Sequence, residues 1–307
     1  MGDKILVTGA NGMLGRAIAR SARMVGKEVV PLTRNDVDLL DRSETRKVID
    51  KIRPKMIFHA AAKVHGLMGN KAFPADMFND NIRINTNVVE AAQLAGVEKF
   101  IAVGTVASYP DGVEMPIKPE SIWQGPPHTS EAAYGHAKRA MLAHLQACSI
   151  QYGLQYAYAI MTNIYGPEDR FDELHGHVIP SLVSKFHTAS LSQERVEIWG
   201  TGKAKRDFIY SEDAADALLS IADNINGPVN VATGRVVSIR RVVEILQNIS
   251  GVTDVVWNSS KPDGQLLREY DIHELERAGF KPRYSLEEGL EKTYKWYAEH
   301  HSQARKK

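Results

Sequence analysis

Cysteine is nearly absent: Cys148 stands alone in 307 residues, which excludes an internal disulfide and any metal site built on paired thiolates. Metal spacing is missing as well, because the eleven histidines never fall in the His-x-x-x-His register that sets two imidazoles on one helical face. No apolar run approaches the ~18 residues of a membrane span, and the N-terminus enters a strand with no cationic leader or apolar signal core. A soluble, cytoplasmic protein is therefore expected, with no membrane partner. Charge of one sign is lacking too. With 38 basic and 37 acidic residues the chain has no excess for the basic face that a dedicated nucleic-acid binder shows, so phosphate recognition must be local. There is no internal repeat and no low-complexity segment.

What is present begins at once. Lys4-Ile-Leu-Val-Thr-Gly-Ala-Asn-Gly-Met-Leu-Gly15 reads as a short buried strand, a glycine turn and a helix from about Arg16. In such a turn Gly9 makes the tight bend, Gly12 lets backbone approach a pyrophosphate, and Gly15 lets the helix pack on the strand, with phosphate at the helix N-terminus. Three glycines also make ordinary turns, so the context of strand, turn and helix carries the dinucleotide reading. The chain is long enough for such a cofactor domain and a smaller partner.

A second strand, Glu28–Leu32, ends at Thr33-Arg34. An enzyme preferring NAD places an acid there for the adenosine ribose. Arg34 suits the 2′-phosphate of NADP instead, and Asn11 in the glycine loop is neutral; the plain alternative is a solvated loop arginine. Met56–His59 is a third strand ending in the small residues Ala60-Ala-Ala62, where a cofactor can lie against backbone. Helical spacing from Ile82 to Ala95 precedes a fourth strand, Lys99–Val103. The alternation predicts an α/β fold, a Rossmann-type doubly wound parallel sheet. Thr105 follows the fourth strand, and Tyr134-Gly-His-Ala-Lys138 sets a tyrosine and a lysine one helical turn apart. A nearby ammonium favours the phenolate and lowers a phenol pKa that starts near ~10, so the tyrosine could exchange a proton near neutrality. Further on, Tyr156–Ile160 is a strand, His175 to Ser190 is helical, and Val196–Trp199 is a strand. Arg206–Tyr210, a helix from about Glu212 and Pro228–Val231 return to the core, and helices near 240–249 and 286–297 complete a cap.

These motifs together resemble the extended short-chain dehydrogenases/reductases, and more narrowly the GDP-L-fucose synthases. The likeness runs over nearly the whole chain, through Ala60-Ala-Ala-Lys-Val64, Pro74-Ala-Asp76, Gly96-Val97, Thr162-Asn-Ile-Tyr-Gly-Pro167, His177-Val-Ile-Pro180, Trp199-Gly-Thr-Gly202, Lys261-Pro-Asp-Gly264 and Ser285-Leu-Glu-Glu-Gly-Leu290. It implies Thr105, Tyr134 and Lys138 as the catalytic set. NADP(H) would be held by Gly9, Asn11, Gly12, Met13, Gly15, Arg34, Leu40, Ala61 and Lys138, and the GDP-sugar by Lys63, His65, Asn163, His177, Lys185, Trp199, Arg206 and Lys261. The domains would be 1–165 for NADP, completed by about 206–232, and 166–205 with 233–307 as a smaller C-terminal α/β domain for the GDP-sugar. A homodimer is expected from the family, through the helix at 82–95 and the one carrying Tyr134.

Three departures matter. The family has arginine where Lys185 stands, and lysine lacks the bidentate fork. Where the family reads Ser-Ser-Cys-Ile-Tyr-Pro, this chain reads Thr105-Val-Ala-Ser-Tyr-Pro110. That cysteine and the histidine at His177 exchange protons beside the ketone in the family, so Ala107 removes half of the epimerising pair. Related sugar dehydratases carry an acid pair at 106 and 107, and Val106-Ala107 has no proton to give. His65 replaces a glycine, either reshaping the pocket or lying on a loop, or else standing in for the lost acid. The resemblance so corrected implies NADPH-dependent C4 reduction of a GDP-4-keto-6-deoxy sugar, hexose or heptose, without epimerisation. The alternatives are a full epimerase-reductase making GDP-L-fucose and a non-catalytic nucleotide sensor on the same fold.

Overall fold

The structure, a computed structural model, describes residues 4–64, 67–173, 176–261 and 263–304, without the side chains of residues 67, 68 and 71. Its first half alternates strand and helix: β1 (Lys4–Thr8), α1 (Met13–Met24), β2 (Glu28–Leu32), α2 (Arg42–Ile52), β3 (Met56–His59), α3 (Leu67–Ala72), α4 (Pro74–Leu94), β4 (Lys99–Val103), α5 (Ala132–Tyr152) and β5 (Gln155–Met161). The second half runs β6 (Asn163–Tyr165), α6 (Val178–Ser192), β7 (Val196–Trp199), β8 (Lys205–Tyr210), α7 (Ser211–Asn224), β9 (Gly227–Val231), β10 (Val236–Ser238), α8 (Ile239–Ser250), β11 (Val255–Asn258), α9 (His273–Arg277) and α10 (Leu286–His300).

Six strands form one sheet in the order β2-β1-β3-β4-β5-β9, parallel throughout. Strands covered on both faces read as unbroken apolar runs, which is why Ile5, Leu6, Val7, Ile57, Phe58, Phe100 and Ile101 occur without alternation. One face is covered by α4 and α5 through Val88, Val89, Met141, Leu142 and Leu145. On the other face, α1 and α7 dock through Ala17, Ile18, Ala214 and Leu218. Each fully buried branched or aromatic side chain here contributes ~1.5–3 kcal/mol. Strand order reverses at the β1/β3 junction, and ligands of open α/β sheets bind outside the carboxyl ends of the strands at such a point.

The remaining strands build two small sheets, β10-β8-β6 and β11-β7, with a third core among α6, α8 and α10 around Tyr165, Phe171, Val183, Phe186, Leu246 and Tyr297. The expected return of Arg206–Tyr210 to the core holds for Ile209 alone, and β8 pairs with β6 and β10 and not with the main sheet. Its residues alternate, Ile209 entering the core under the main sheet and Phe208 and Tyr210 the third core. Helix α2 has no counterpart in the sequence expectations, because only Val48, Ile49 and Ile52 mark its apolar stripe; Asp41 caps it, accepting from Glu44 N–H at 2.9 Å. Helix α4 begins eight residues before the expected Ile82, its first turn opened by Pro74. Among the described residues no helix is long and apolar enough to cross a membrane.

Candidate active site

Gly9 follows β1 with φ +67°, and a Cβ there would lie 2.8 Å from Ala61 N and 2.9 Å from Ala60 C. The glycine therefore lets the exits of β1 and β3 touch at the strand reversal, besides making the bend. A Cβ on Gly15 would sit 2.2 Å from Gly9 O, so this residue seats α1 on the turn, whereas Gly12 has only Gly9 O at 3.3 Å and otherwise faces open space. Helix α1 starts at Met13 with no side-chain cap and no acid in its first turn. An uncapped helix N-terminus with open space before it presents unpaired amides and a positive dipole end, which fits a pyrophosphate. Asn11 is exposed on that loop, and Arg16 Nε donates to its carbonyl at 3.3 Å.

At the end of β2, Asp36 turns its carboxylate back onto Thr33, accepting from N–H at 2.8 Å and from Oγ1 at 2.6 Å, so this acid is committed to its own turn. These bonds hold Asp36 below the usual carboxylate range. Arg34 is exposed between them. The carbonyls of Leu39 and Leu40 accept from Asn87 Nδ2 at 2.9 and 3.2 Å, fixing the next bend against α4.

The catalytic candidates converge on α5. Lys138 is 1% exposed, and its Nζ donates to Val103 O at 2.8 Å, at the end of β4, and stands 5.8 Å from the centre of the Tyr134 ring. Thr105 caps the 3-10 turn Val106–Ser108, its Oγ1 accepting from Ala107 N–H at 3.1 Å. The turn packs on α5 beside Tyr134: Ser108 Oγ donates to Gly135 O at 3.4 Å, and a Cβ on Gly135 would lie 2.7 Å from Ala107 O. Ala107 itself is buried.

The expected electrostatic coupling of the pair is corrected in one respect. Burial raises the Tyr134 phenol, with Glu131 adding to the rise, and burial pulls Lys138 down to about 7. An ammonium engaged with a backbone carbonyl and half discharged near neutrality does not hold the phenol down in this state.

Beneath them lies a chain of hydrogen bonds that sequence inspection missed. Ala61 N–H donates to Thr8 Oγ1 at 3.2 Å, Thr8 Oγ1 and His59 Nδ1 are 2.8 Å apart, His59 Nε2 and Asn85 Oδ1 3.1 Å, and Asn85 Nδ2 donates to Ala137 O at 3.4 Å. The directions agree if Thr8 donates to Nδ1 and His59 carries its proton on Nε2. Burial and the neighbouring Lys138 charge drive the His59 pKa down to about 3, so the ring is neutral. Arg139, next to Lys138, was missed as well; it donates to Ser108 O at 2.8 Å and Gly125 O at 2.6 Å, and so ties the 105–108 turn to the helix. Arg268 holds Val106 O at 2.9 Å from the other side.

The sugar-site candidates lie mainly in the second lobe. Trp199 is 48% exposed, with Lys185 Nζ 5.9 Å and Lys261 Nζ 5.4 Å from its ring centre. Asp263, quoted in the sequence motif but passed over, pins the turn after Trp199 by accepting from Thr201 N–H at 2.6 Å and Oγ1 at 2.7 Å. Arg206 is largely buried and bonds the carbonyls of Lys205 and Gln265; burial lowers its pKa. Asn163 Nδ2 donates to Asp207 O at 3.0 Å, and His177 is the exposed N-cap of α6, its ring making no capping bond. Lys63 lies in the first lobe, its Nζ paired with Asp80 at 2.7 Å. His65 falls outside the described residues.

A doubly wound parallel sheet with an uncapped phosphate cradle at its switch point and a tyrosine-lysine stripe on the next wall defines an extended short-chain dehydrogenase/reductase. The family model described as the NAD dependent epimerase/dehydratase family matches residues 5–234. The chain is 36% identical to a GDP-L-fucose synthase of Sinorhizobium fredii over 297 residues, 95% of either chain. Among solved structures, a GDP-L-fucose synthetase of Naegleria fowleri bound to NADP superposes with a TM-score of 0.91 at 29% identity, covering 99% of this chain and 96% of that one. A GDP-mannoheptose C4 reductase of Campylobacter jejuni with NADP bound gives 0.86 at 29%, covering 96% and 98%. The protein belongs to the NAD dependent epimerase/dehydratase family, in its GDP-L-fucose synthase-like branch.

Proposed function

We propose that this protein reduces the C4 ketone of a GDP-4-keto-6-deoxy sugar, hexose or heptose, without exchanging the protons at C3 and C5. It is an oxidoreductase acting in GDP-sugar keto reduction, and its cofactor is NADP(H). The relatives with that chemistry support the coarse reading. One observation carries the finer one: the turn capped by Thr105 is buried against α5 and has at position 107 a methyl group where an acid would be needed.

NADPH, when bound, supplies the hydride for the carbonyl carbon. In the proposed division of labour, Tyr134 donates its proton to the carbonyl oxygen as charge develops there, a role that suits a phenol kept protonated by burial. Thr105 hydrogen-bonds the same oxygen, and Lys138 orders the site through Val103. Gly9, Asn11, Gly12, Met13, Gly15, Leu40 and Ala61 form the cradle, with Arg34 against the 2′-phosphate. Lys185, Trp199, Arg206 and Lys261 take the nucleotide, while Asn163, His177, Lys63 and, from the sequence alone, His65 are assigned to the sugar.

Epimerisation beside a ketone needs a base on one face and an acid on the other. His177 remains, and Cys148 is no substitute: ten residues along α5 from Lys138 is ~15 Å. The reaction run in heavy water with GDP-4-keto-6-deoxymannose and NADPH tests this. The expected product retains protium at C3 and C5 and differs from its substrate at C4 alone. Deuterium at C3 or C5, abolished in His65→Ala, would establish the full epimerase-reductase.

A further inference from the structure

Thr105 caps a 3-10 turn of three residues, Val106–Ser108, a conformation whose own hydrogen bonds have poor geometry. Two guanidinium groups grip that turn from different elements. From α5, Arg139, 8% exposed, donates to Ser108 O at 2.8 Å. From the segment between β11 and α9, Arg268, its side chain 11% exposed, donates to Val106 O at 2.9 Å and to Asp111 Oδ1, on the loop that continues the turn, at 3.3 Å. Bonds from a charged donor are about twice as strong as neutral ones. Within the turn, Thr105 Oγ1 accepts from Ala107 N–H, so the orientation of the turn also fixes the direction in which the hydroxyl gives its proton.

The backbone that carries Arg268 is pinned on both flanks. Before it, Arg206 Nη1 donates to Gln265 O at 2.5 Å and Lys205 N–H to Leu266 O at 2.8 Å, both from β8. After it, Ile117 N–H donates to Glu269 O at 2.8 Å and Asp271 N–H to Ile117 O at 2.9 Å. Asn230 Nδ2, on β9, secures that junction by donating to Ile117 O at 2.8 Å and to Asp271 O at 2.9 Å. Arg139 rides on the helix that bears Tyr134. One grip therefore references the Thr105 turn to the tyrosine, and the other references it to a strap held by β8 and β9. Such precision has a use in catalysis, where a misplacement of ~1 Å can cost about 100-fold in rate.

We propose that Arg268 is a positioning residue for the reduction: it acts through Val106 O, holding the turn so that the Thr105 hydroxyl meets the same carbonyl oxygen as Tyr134. This rests on the reductase reading above. Its test compares wild type, Arg268→Gln, Arg268→Lys, Thr105→Ala and the Arg268→Gln, Thr105→Ala double variant in turnover of GDP-4-keto-6-deoxymannose with NADPH, and GDP binding by calorimetric titration. Arg268→Gln should lower kcat about 10- to 100-fold while the KM for NADPH and the affinity for GDP stay within about twofold, and Arg268→Lys, which keeps a charged donor, should recover part of the loss. In the Thr105→Ala background the same Gln substitution should cost less than about twofold, because the group it positions is gone. Losses that multiply in the double variant overturn the proposal, and so does a fall of about 10-fold or more in GDP affinity, which would make Arg268 a nucleotide ligand. The turn is also read without turnover, by hydrogen exchange of the peptide spanning 106–109 in the free protein. It should exchange faster in Arg268→Gln than in wild type while peptides of β1 and α1 keep their rates, and equal exchange at 106–109 overturns the proposal. If that difference is found but wild type consumes no NADPH with GDP-4-keto sugars, the reductase reading fails and the hold of Arg268 on the turn stands.

Discussion

Lys138 shows how a single buried ionisable residue costs stability. Its ordinary pKa of 10.5 falls to about 7 because the ammonium is buried. From about pH 7 upward to its ordinary pKa the unfolded chain therefore binds more protons than the folded one, so stability from this group rises with pH; the penalty is fully present below about pH 7. Comparing Lys138→Met with wild type by urea unfolding, without cofactor, should show the balance moving toward wild type by on the order of 3 kcal/mol between about pH 7 and about pH 9.5. A constant difference would mean that the amine is better solvated than its position indicates. The neighbouring phenol is tested by kinetics. Tyr134→Phe keeps the ring and loses the proton, so kcat should fall ~100-fold or more while NADPH still binds, as fluorescence titration can measure; retention of more than about a tenth of the rate would remove Tyr134 as the acid. At the other end of the cofactor, Arg34→Ala should cost NADPH one to two decades of affinity and leave NADH untouched, about 1.5–3 kcal/mol for one charge-assisted contact.

At the scale of elements, the glycine turn makes separable predictions for stability and binding. Gly15 meets backbone at 2.2 Å and nothing flexible can give way, whereas Gly12 meets only one carbonyl at 3.3 Å. Gly15→Ala should therefore lower the thermal midpoint, and Gly12→Ala should fold normally but lose NADPH affinity; calorimetric melting and cofactor titration read the two effects separately. This turn was legible because each glycine answers a local backbone demand. Helix α2 was not, since a mostly polar segment becomes a helix through its Asp41 cap and through packing on α4, neither of which leaves a strong periodic mark. The bond of Arg139 to Ser108 and Gly125 was invisible for a different reason: its partners are carbonyls, which every residue has.

For the whole molecule, a second lobe is built beside the first on strands that never join its sheet. Glu168 ties them on the cofactor side, accepting from Arg16 at 3.4 Å and Arg20 at 3.2 Å, with its backbone at φ +66°. We propose a homodimer through the faces of α4 and α5 left free of the sheet; sedimentation should give twice the chain mass, and a monomer at micromolar concentration would end that proposal.

The alternation from β1 through β5, the glycine turn, the Tyr-Lys spacing and the alanine at position 107 were legible in local pattern, since 3.6-residue and glycine signals are properties of contiguous chain, whereas α2 was not. Only the tertiary structure decided that β8 stays out of the main sheet, that His59 is a neutral link between Thr8 and Asn85, and that burial pulls Lys138 down to about 7. These depend on burial and on contacts across the fold, as from Thr8 through His59 to Asn85, and desolvation has no signature in a sequence until packing removes the water.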